Sequence, residues 1–197
     1  ALAIVRMEEN RLMPANGPVI VSGATGGVGS LAVDILARLG YHVVALTGKA
    51  GEADYLRRLG AAEVMLRDEL DLARIRPLDR ARWAGAVDNL GGDVLAWMAS
   101  TMMQGGTIAS IGLAASMNLN TTVAPFILRG VSLLGVDSGY IGEPYRHNVW
   151  QRLASDMRPP HLATMARQIA FDELPATFDQ YIAGHAKGRV VVAVGGA

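Results

Sequence analysis

The 197-residue sequence predicts an α/β fold, a doubly wound parallel sheet of six strands with helices on both faces. Two observations predict it. Short apolar, β-branched runs alternate with stretches of helical period, the pattern of a parallel sheet. The first such run, Val19 to Val21, leads into Ser22-Gly-Ala-Thr-Gly-Gly-Val-Gly29 and then into a helix. Apolar Val28, Leu31, Ala32, Ile35, Leu36 and Leu39 fall at the spacing of one face of that helix. Gly23, Gly26, Gly27 and Gly29 remove side chains where the backbone must turn sharply and approach a pyrophosphate. The free amides and dipole of the following helix attract that anion. Right-handed crossovers then give a Rossmann-like sheet the strand order 3-2-1-4-5-6.

The chain opens on a helix, Ala1 to Met13, with no cap residue ahead of it, and Pro14-Ala-Asn-Gly-Pro18 breaks it. His42 to Leu46 reads as strand two, and Glu52 to Leu59 as a helix closed by Gly60. Glu63 to Leu66 is strand three. Arg67 to Arg82 is charged and irregular, with Pro77 ending a short helix. Ala84 to Asp88 is strand four, Asp93 to Met103 a helix, and Gly106 to Ile111 strand five. Val131 to Val136, apolar and free of proline, is strand six and an edge of the sheet. The tail adds helices at Pro144–Met157, His161–Gln168 and Glu173–Ala183, then a β-branched strand, Arg189 to Val194. With no repeat, low-complexity stretch or linker, residues 1–197 form one domain. The uncapped opening and high apolar content suggest a piece of something larger, with one face meant to be covered.

Hydrophobic residues make up 51% of the chain and charged ones 18%, with zero net charge, which argues against nucleic acid or an anionic membrane as partner. There is neither a signal peptide nor an apolar run of the ~20 residues that span a bilayer, so a cytoplasmic location is expected. The absence of cysteine excludes disulfides and thiolate chemistry. His42, His147, His161 and His185 show no ligand spacing, and no metal is expected.

The turn fits two patterns, Ala24-x-Gly26-x-x-Gly29 and Gly23-x-x-x-Gly27-x-Gly29. The second belongs to short-chain dehydrogenases, which also need Tyr-x-x-x-Lys. No tyrosine here has a lysine four residues on, and the first pattern stands. NAD-binding sheets carry an acid at the end of strand two for the ribose hydroxyls. This chain has Leu46-Thr-Gly-Lys-Ala50 there, and no acid until Glu52. A 2′-phosphate fits Thr47 as hydroxyl donor, Gly48 as open space and Lys49 as cation, with Arg67 beyond strand three closing the other side. Either cation alone reads as a solvated charge. Together with the missing acid they point to NADP(H).

Several segments carry a family likeness: Gly23-Ala-Thr-Gly-Gly-Val-Gly-Ser30, Ala45-Leu-Thr-Gly-Lys49, Trp83-Ala-Gly-Ala-Val-Asp88, Thr121-Thr-Val-Ala-Pro-Phe-Ile-Leu-Arg-Gly130, Leu134-Gly-Val-Asp-Ser138 and Gly188-Arg-Val-Val-Val192. In this order they make the chain resemble, end to end, the coenzyme-binding half of zinc-free medium-chain quinone oxidoreductases, specifically the acryloyl-CoA reductase group. The resemblance implies NADPH-dependent reduction of a carbon–carbon double bond conjugated to a carbonyl, in an acyl-CoA thioester, a quinone or a simple enone. Hydride reaches the β-carbon, and a proton from solvent or a tyrosine reaches the α-carbon.

The resemblance also implies that Thr25, Gly26, Gly27 and Val28 contact the pyrophosphate, and that Thr47, Gly48, Lys49 and Arg67 hold the 2′-phosphate. Leu113, Ile127 and Ser138 would lie along the nicotinamide, although Ile127 also reads as plain core and Ser138 as a turn residue. Relatives carry a preceding barrel-like catalytic domain that this chain lacks, and they commonly dimerise through strand six, here residues 131–136. Asp88, Asn89 and Asp137 lie at strand ends with no partner that makes a general acid, so no catalytic residue is assigned. A non-catalytic NADPH-sensing module is the competing reading.

Overall fold

The computed structural model describes residues 1–194. It contains β1 (Val19–Val21), β2 (Val43–Thr47), β3 (Glu63–Leu66), β4 (Trp83–Asp88), β5 (Met102–Ser110) and β6 (Ser132–Gly135) in one parallel sheet, ordered β3-β2-β1-β4-β5-β6. This is the order expected of a doubly wound Rossmann-like sheet. Helices α1 (Leu2–Glu9), α2 (Gly27–Arg38), α3 (Ala53–Arg58), α4 (Gly92–Thr101), α5 (Ala124–Leu128) and α6 (Glu143–Ala154) accompany the sheet.

The central strands β1 and β2 are fully buried and mostly apolar because both faces are covered. Along β1, Val19 and Val21 belong to one core layer, with Leu2, Met7, Val33, Leu36 and Leu56. Ile20, between them, belongs to the other, with Val44, Leu46, Trp97, Met98 and Ile108. Alternate side chains of a strand point to opposite faces, so one three-residue strand feeds two cores.

The tail differs from its sequence reading. Helix α7 (Leu162–Met165) is short, and Ala166–Ile169 leaves it as strand β7, where a helix to Gln168 was expected. After α8 (Leu174–Ile182), strand β8 (Arg189–Val192) pairs with β7 in parallel, Ile169 opposite Val192, in a separate two-stranded sheet. A long-range partner decides the state of β7. The short helix ending at Pro77 is absent: a 3-10 turn, Arg67–Glu69, gives way to irregular chain. The apolar residues there, Leu70, Leu72 and Ile75, pack against the second core layer as single anchors rather than as a helix face. Helix α4 also stops at Thr101, and β5 starts at once with Met102. Arg129 ties that junction, its Nη1 donating to the carbonyls of Ser100 and Met102 at 2.9 Å each. Helix α5 had no counterpart in the sequence reading. No helix among the described residues is long and apolar enough to cross a membrane.

Asp34 of α2, 1% exposed, docks the tail: it accepts from the His161 backbone N–H at 3.0 Å and lies 2.8 Å from His161 Nδ1. Arg152 of α6 spans to Glu8 of α1 at 2.8 Å and holds Asp156 in a bidentate contact.

Candidate cofactor site

A cleft of about 760 Å³ opens where β1, β2 and β4 end. There the strand order reverses, the position at which open α/β sheets bind ligands. Its floor is the glycine turn. Gly23 takes a φ of +57°, in the left-handed region, and its carbonyl accepts from the Gly26 N–H at 2.9 Å. Gly29 is buried against the turn: a Cβ there would lie 2.2 Å from the Gly23 carbonyl oxygen. Only glycine lets α2 start so close to β1. Buried hydroxyls brace the turn, Tyr55 donating to Ser30 Oγ at 2.9 Å and Ser30 to the Ala24 carbonyl at 3.1 Å.

Helix α2 begins at Gly27, and its N-cap, Gly26, has no side chain to bond the first amides, which stay open at the cleft. Val28 lies at the rim, 41% exposed, and faces the cleft rather than the core its helical spacing suggested. The Arg189 guanidinium covers the same turn, for a Cβ on Gly27 would fall 2.6 Å from its Nε. Amides, helix dipole and guanidinium make this end of the cleft strongly anion-attracting.

The adenosine end is built at the end of β2. Thr47 is buried, 3.3 Å from Thr25 Oγ1, and its hydroxyl accepts from the Lys49 N–H at 3.1 Å. Lys49 and Arg67 both line this end, and Arg67 lies against Gly48, where a Cβ would be 3.3 Å from its Nη2. Lys49 Nζ donates to the Ala186 carbonyl, and burial holds its pKa below the ordinary lysine value.

Asp88 closes the β4 end of the site. Its carboxylate accepts from Ser22 Oγ at 3.0 Å and from the amides of Leu90 and Gly91. Burial raises its pKa against the pull of those bonds. All of them are structural, and Asp88 presents nothing to a substrate. Asn89 is likewise committed, donating through Nδ2 to the Ser22 carbonyl at 2.7 Å. Asp137 Oδ1 accepts from the Gly139 amide at 2.8 Å.

Thr25, Gly26, Gly27, Val28, Thr47, Gly48, Lys49 and Arg67 therefore come together in one cleft. Leu113, Ile127 and Ser138 do not line it. Leu113 and Ile127 are 62% and 72% exposed and Ser138 is exposed, while Ile111, Gly112 and Ala114 form the wall nearby. The sequence reading missed Arg189 and the tail loop 183–186. Gly184 and Gly188, both at positive φ around Lys187, mark a loop, but only folding carries Gly188 N–H to the Thr25 carbonyl at 2.9 Å. Among the described residues no three histidine or acidic side chains are grouped as metal ligands.

Comparison with known proteins matches residues 27–155 to the family described as zinc-binding dehydrogenase. The chain is 45% identical over 195 residues to acrylyl-CoA reductase AcuI of Ruegeria pomeroyi, covering 98% of this chain and 58% of that protein. It is 44% identical to Bacillus subtilis YhfP, named a quinone oxidoreductase, with the same coverage. The structure of Escherichia coli K-12 YhdH with bound NADPH superposes with a TM-score of 0.93 at 42% identity, covering 98% of this chain and 59% of that one. B. subtilis YhfP with NAD bound superposes at 0.92 and 43% identity, with the same coverage. The chain thus spans less than three fifths of the length of these relatives.

Proposed function

This chain belongs to the zinc-binding dehydrogenase family, and from that premise we propose that it is the NADPH-holding domain of a zinc-independent reductase. The substrate class is an α,β-unsaturated carbonyl whose C=C bond is reduced, an acryloyl-CoA-like thioester or a quinone. The observation that carries the cofactor reading is that Lys49 and Arg67 line the same cleft beside Gly48, at a strand end with no acid before Glu52.

The residues present fit NADPH. The glycine turn suits it: a Cβ at Gly29 would strike the Gly23 carbonyl and push α2 away from β1, and α2 starts with no side-chain cap on its first amides. Thr25, Gly26, Gly27 and Val28, with the α2 amides and Arg189, hold the pyrophosphate. Thr47, Gly48, Lys49 and Arg67 hold the 2′-phosphate. When bound, NADPH supplies the hydride for the β-carbon. The wall at Ile111, Gly112 and Ala114 orients the nicotinamide, and exposed Leu113, Ile127 and Ser138 flank it. Their exposure accords with a site closed by the further segment that the relatives possess, and we place the substrate cleft and any proton donor there. No residue of this chain is assigned a catalytic role. The names of AcuI and YhfP support the substrate class, and the NADPH bound to YhdH supports the cofactor. We also place a homodimer contact on the β6 edge, residues 131–136.

Calorimetry with the two nucleotides tests the cofactor reading. Two charge-assisted contacts contribute about 2–4 kcal/mol together, so NADPH should bind roughly 30- to 1,000-fold more tightly than NADH. Lys49→Ala and Arg67→Ala should each narrow that gap, and equal affinities in the unaltered protein would refute it. Turnover of acryloyl-CoA or a quinone by the full-length protein separates a reductase from an NADPH-sensing module, which would consume neither. Metal analysis of the same preparation tests zinc independence.

A further inference from the structure

We propose that Glu52 and Lys187 form a charge pair that sets how strongly the cleft prefers a 2′-phosphorylated dinucleotide over its unphosphorylated counterpart. The inference rests on the NADP(H) reading above and assigns two residues to specificity that line no part of the cleft. Glu52 ends the 3-10 turn Ala50–Glu52 directly after Lys49, and is the first acid beyond β2. Lys187 follows Ala186, whose carbonyl receives the Lys49 ammonium. The Lys187 Nζ stands 2.9 Å from Glu52 Oε2 and 5.1 Å from the centroid of the Tyr55 ring. Tyr55 in turn braces the glycine turn through Ser30. Lys187 and Glu52 therefore lie next to Lys49 in the fold, and Lys49 lines the cleft together with Arg67. Their mutual influence is visible on Lys49, whose pKa Glu52 pushes up and Lys187 pushes down, behind the larger effect of burial.

An acid just beyond strand two has two ways to favour an unphosphorylated ribose: it accepts from the free hydroxyl, and it repels a 2′-phosphate. Glu52 is such an acid, in a chain whose neighbouring cations favour phosphate. Lys187 resolves the conflict by occupying the carboxylate. Neutralised, Glu52 neither opposes the phosphate nor turns toward the ribose, and the cation–π contact with Tyr55 keeps the lysine in place. An exposed ion pair with no such task would contribute little to any property of the protein. The Glu52 and Lys187 side chains are 26% and 43% exposed, and the pair adjoins Ala186, whose carbonyl holds the Lys49 ammonium.

Titrating the protein with NADPH and NADH tests the pair. Lys187→Met keeps an unbranched side chain of similar length, removes the ammonium and frees Glu52. It should cut the NADPH-over-NADH preference about tenfold, mainly through weaker NADPH binding. Glu52→Gln releases Lys187 as a third cation and should widen the preference by a few-fold, while the double variant returns close to the unaltered protein. A structural pair would shift both nucleotides together. If Lys187→Met or Glu52→Gln does so, while the unaltered protein still prefers NADPH, the charge-pair inference fails alone. If the unaltered protein shows no preference, the cofactor reading and this inference both fail.

Discussion

Replacing Gly29 by alanine should damage both stability and nucleotide binding, and the contacts give the scale. The new Cβ would sit 2.2 Å from the Gly23 carbonyl oxygen and 2.7 Å from the Ala24 Cα. Both are backbone atoms within a braced turn and cannot rotate away, so the start of α2 must retreat from β1 by nearly an ångström. Overpacking of this kind costs about 1–3 kcal/mol. In a domain of this size that lowers the melting temperature by roughly 2–12 °C. The same retreat spoils the spacing of the α2 amides, and NADPH affinity should fall at least about tenfold. Two further glycine-to-alanine variants serve as controls. At Gly27 the new Cβ meets Arg189, a flexible side chain, so stability should hold while nucleotide binding weakens. At Gly51 nothing lies within 4 Å, and alanine should stabilise by about 0.4–1 kcal/mol through the unfolded chain. Circular-dichroism melts and NADPH titrations of all three decide. A Gly29→Ala protein that melts with the parent and binds NADPH equally well would refute the close approach.

Asp34→Ala should release the tail from α2. Amide exchange should then speed up over residues 161–169 and stay slow in the main sheet, because the two His161 contacts are lost. Asp156 titrates below the ordinary carboxylate range, chiefly because Arg152 hydrogen-bonds its charged form. A depressed folded pKa contributes stability above the unfolded value of about 3.9 and loses it as pH falls through the folded one. Asp156→Asn should therefore be less stable than the parent at neutral pH and match it in strong acid, as read by denaturant melts. The β6 edge predicts that light scattering at high micromolar concentration returns twice the chain mass, and a monomer there would count against the contact.

The centre of the main sheet was legible because its strands are buried on both faces, so that Val19–Val21 and Val43–Thr47 announce themselves by local composition. Thr47, Lys49 and Arg67 were legible for a related reason: parallel strands end at one rim, and residues just past them converge on it. Ala166-Arg-Gln-Ile169 carries no such signal. Only Ile169 is buried, and the segment is a strand because β8 lies beside it. Arg189 and the loop 183–186 were hidden similarly, since nothing local says which distant turn a loop will meet. The charged stretch after Arg67 misled in the opposite sense, for its proline suggested a helix end where isolated apolar anchors hold the chain.

Because Gly188 donates to Thr25 and Lys49 donates to Ala186, 137 positions away, the two walls of the cleft come from segments far apart in sequence. Loop closures of that span come late in folding, after the local strand–helix units have formed. A partly folded chain can therefore hold the glycine turn and still lack the complete anion site, whose guanidinium arrives with β8. Nucleotide binding is then a readout of completed folding. A saturating dinucleotide stabilises the finished state alone, by an amount that grows with the logarithm of its concentration. Mutations that loosen only β8 and the loop before it should surface first as lost affinity, well before any spectroscopic sign of unfolding.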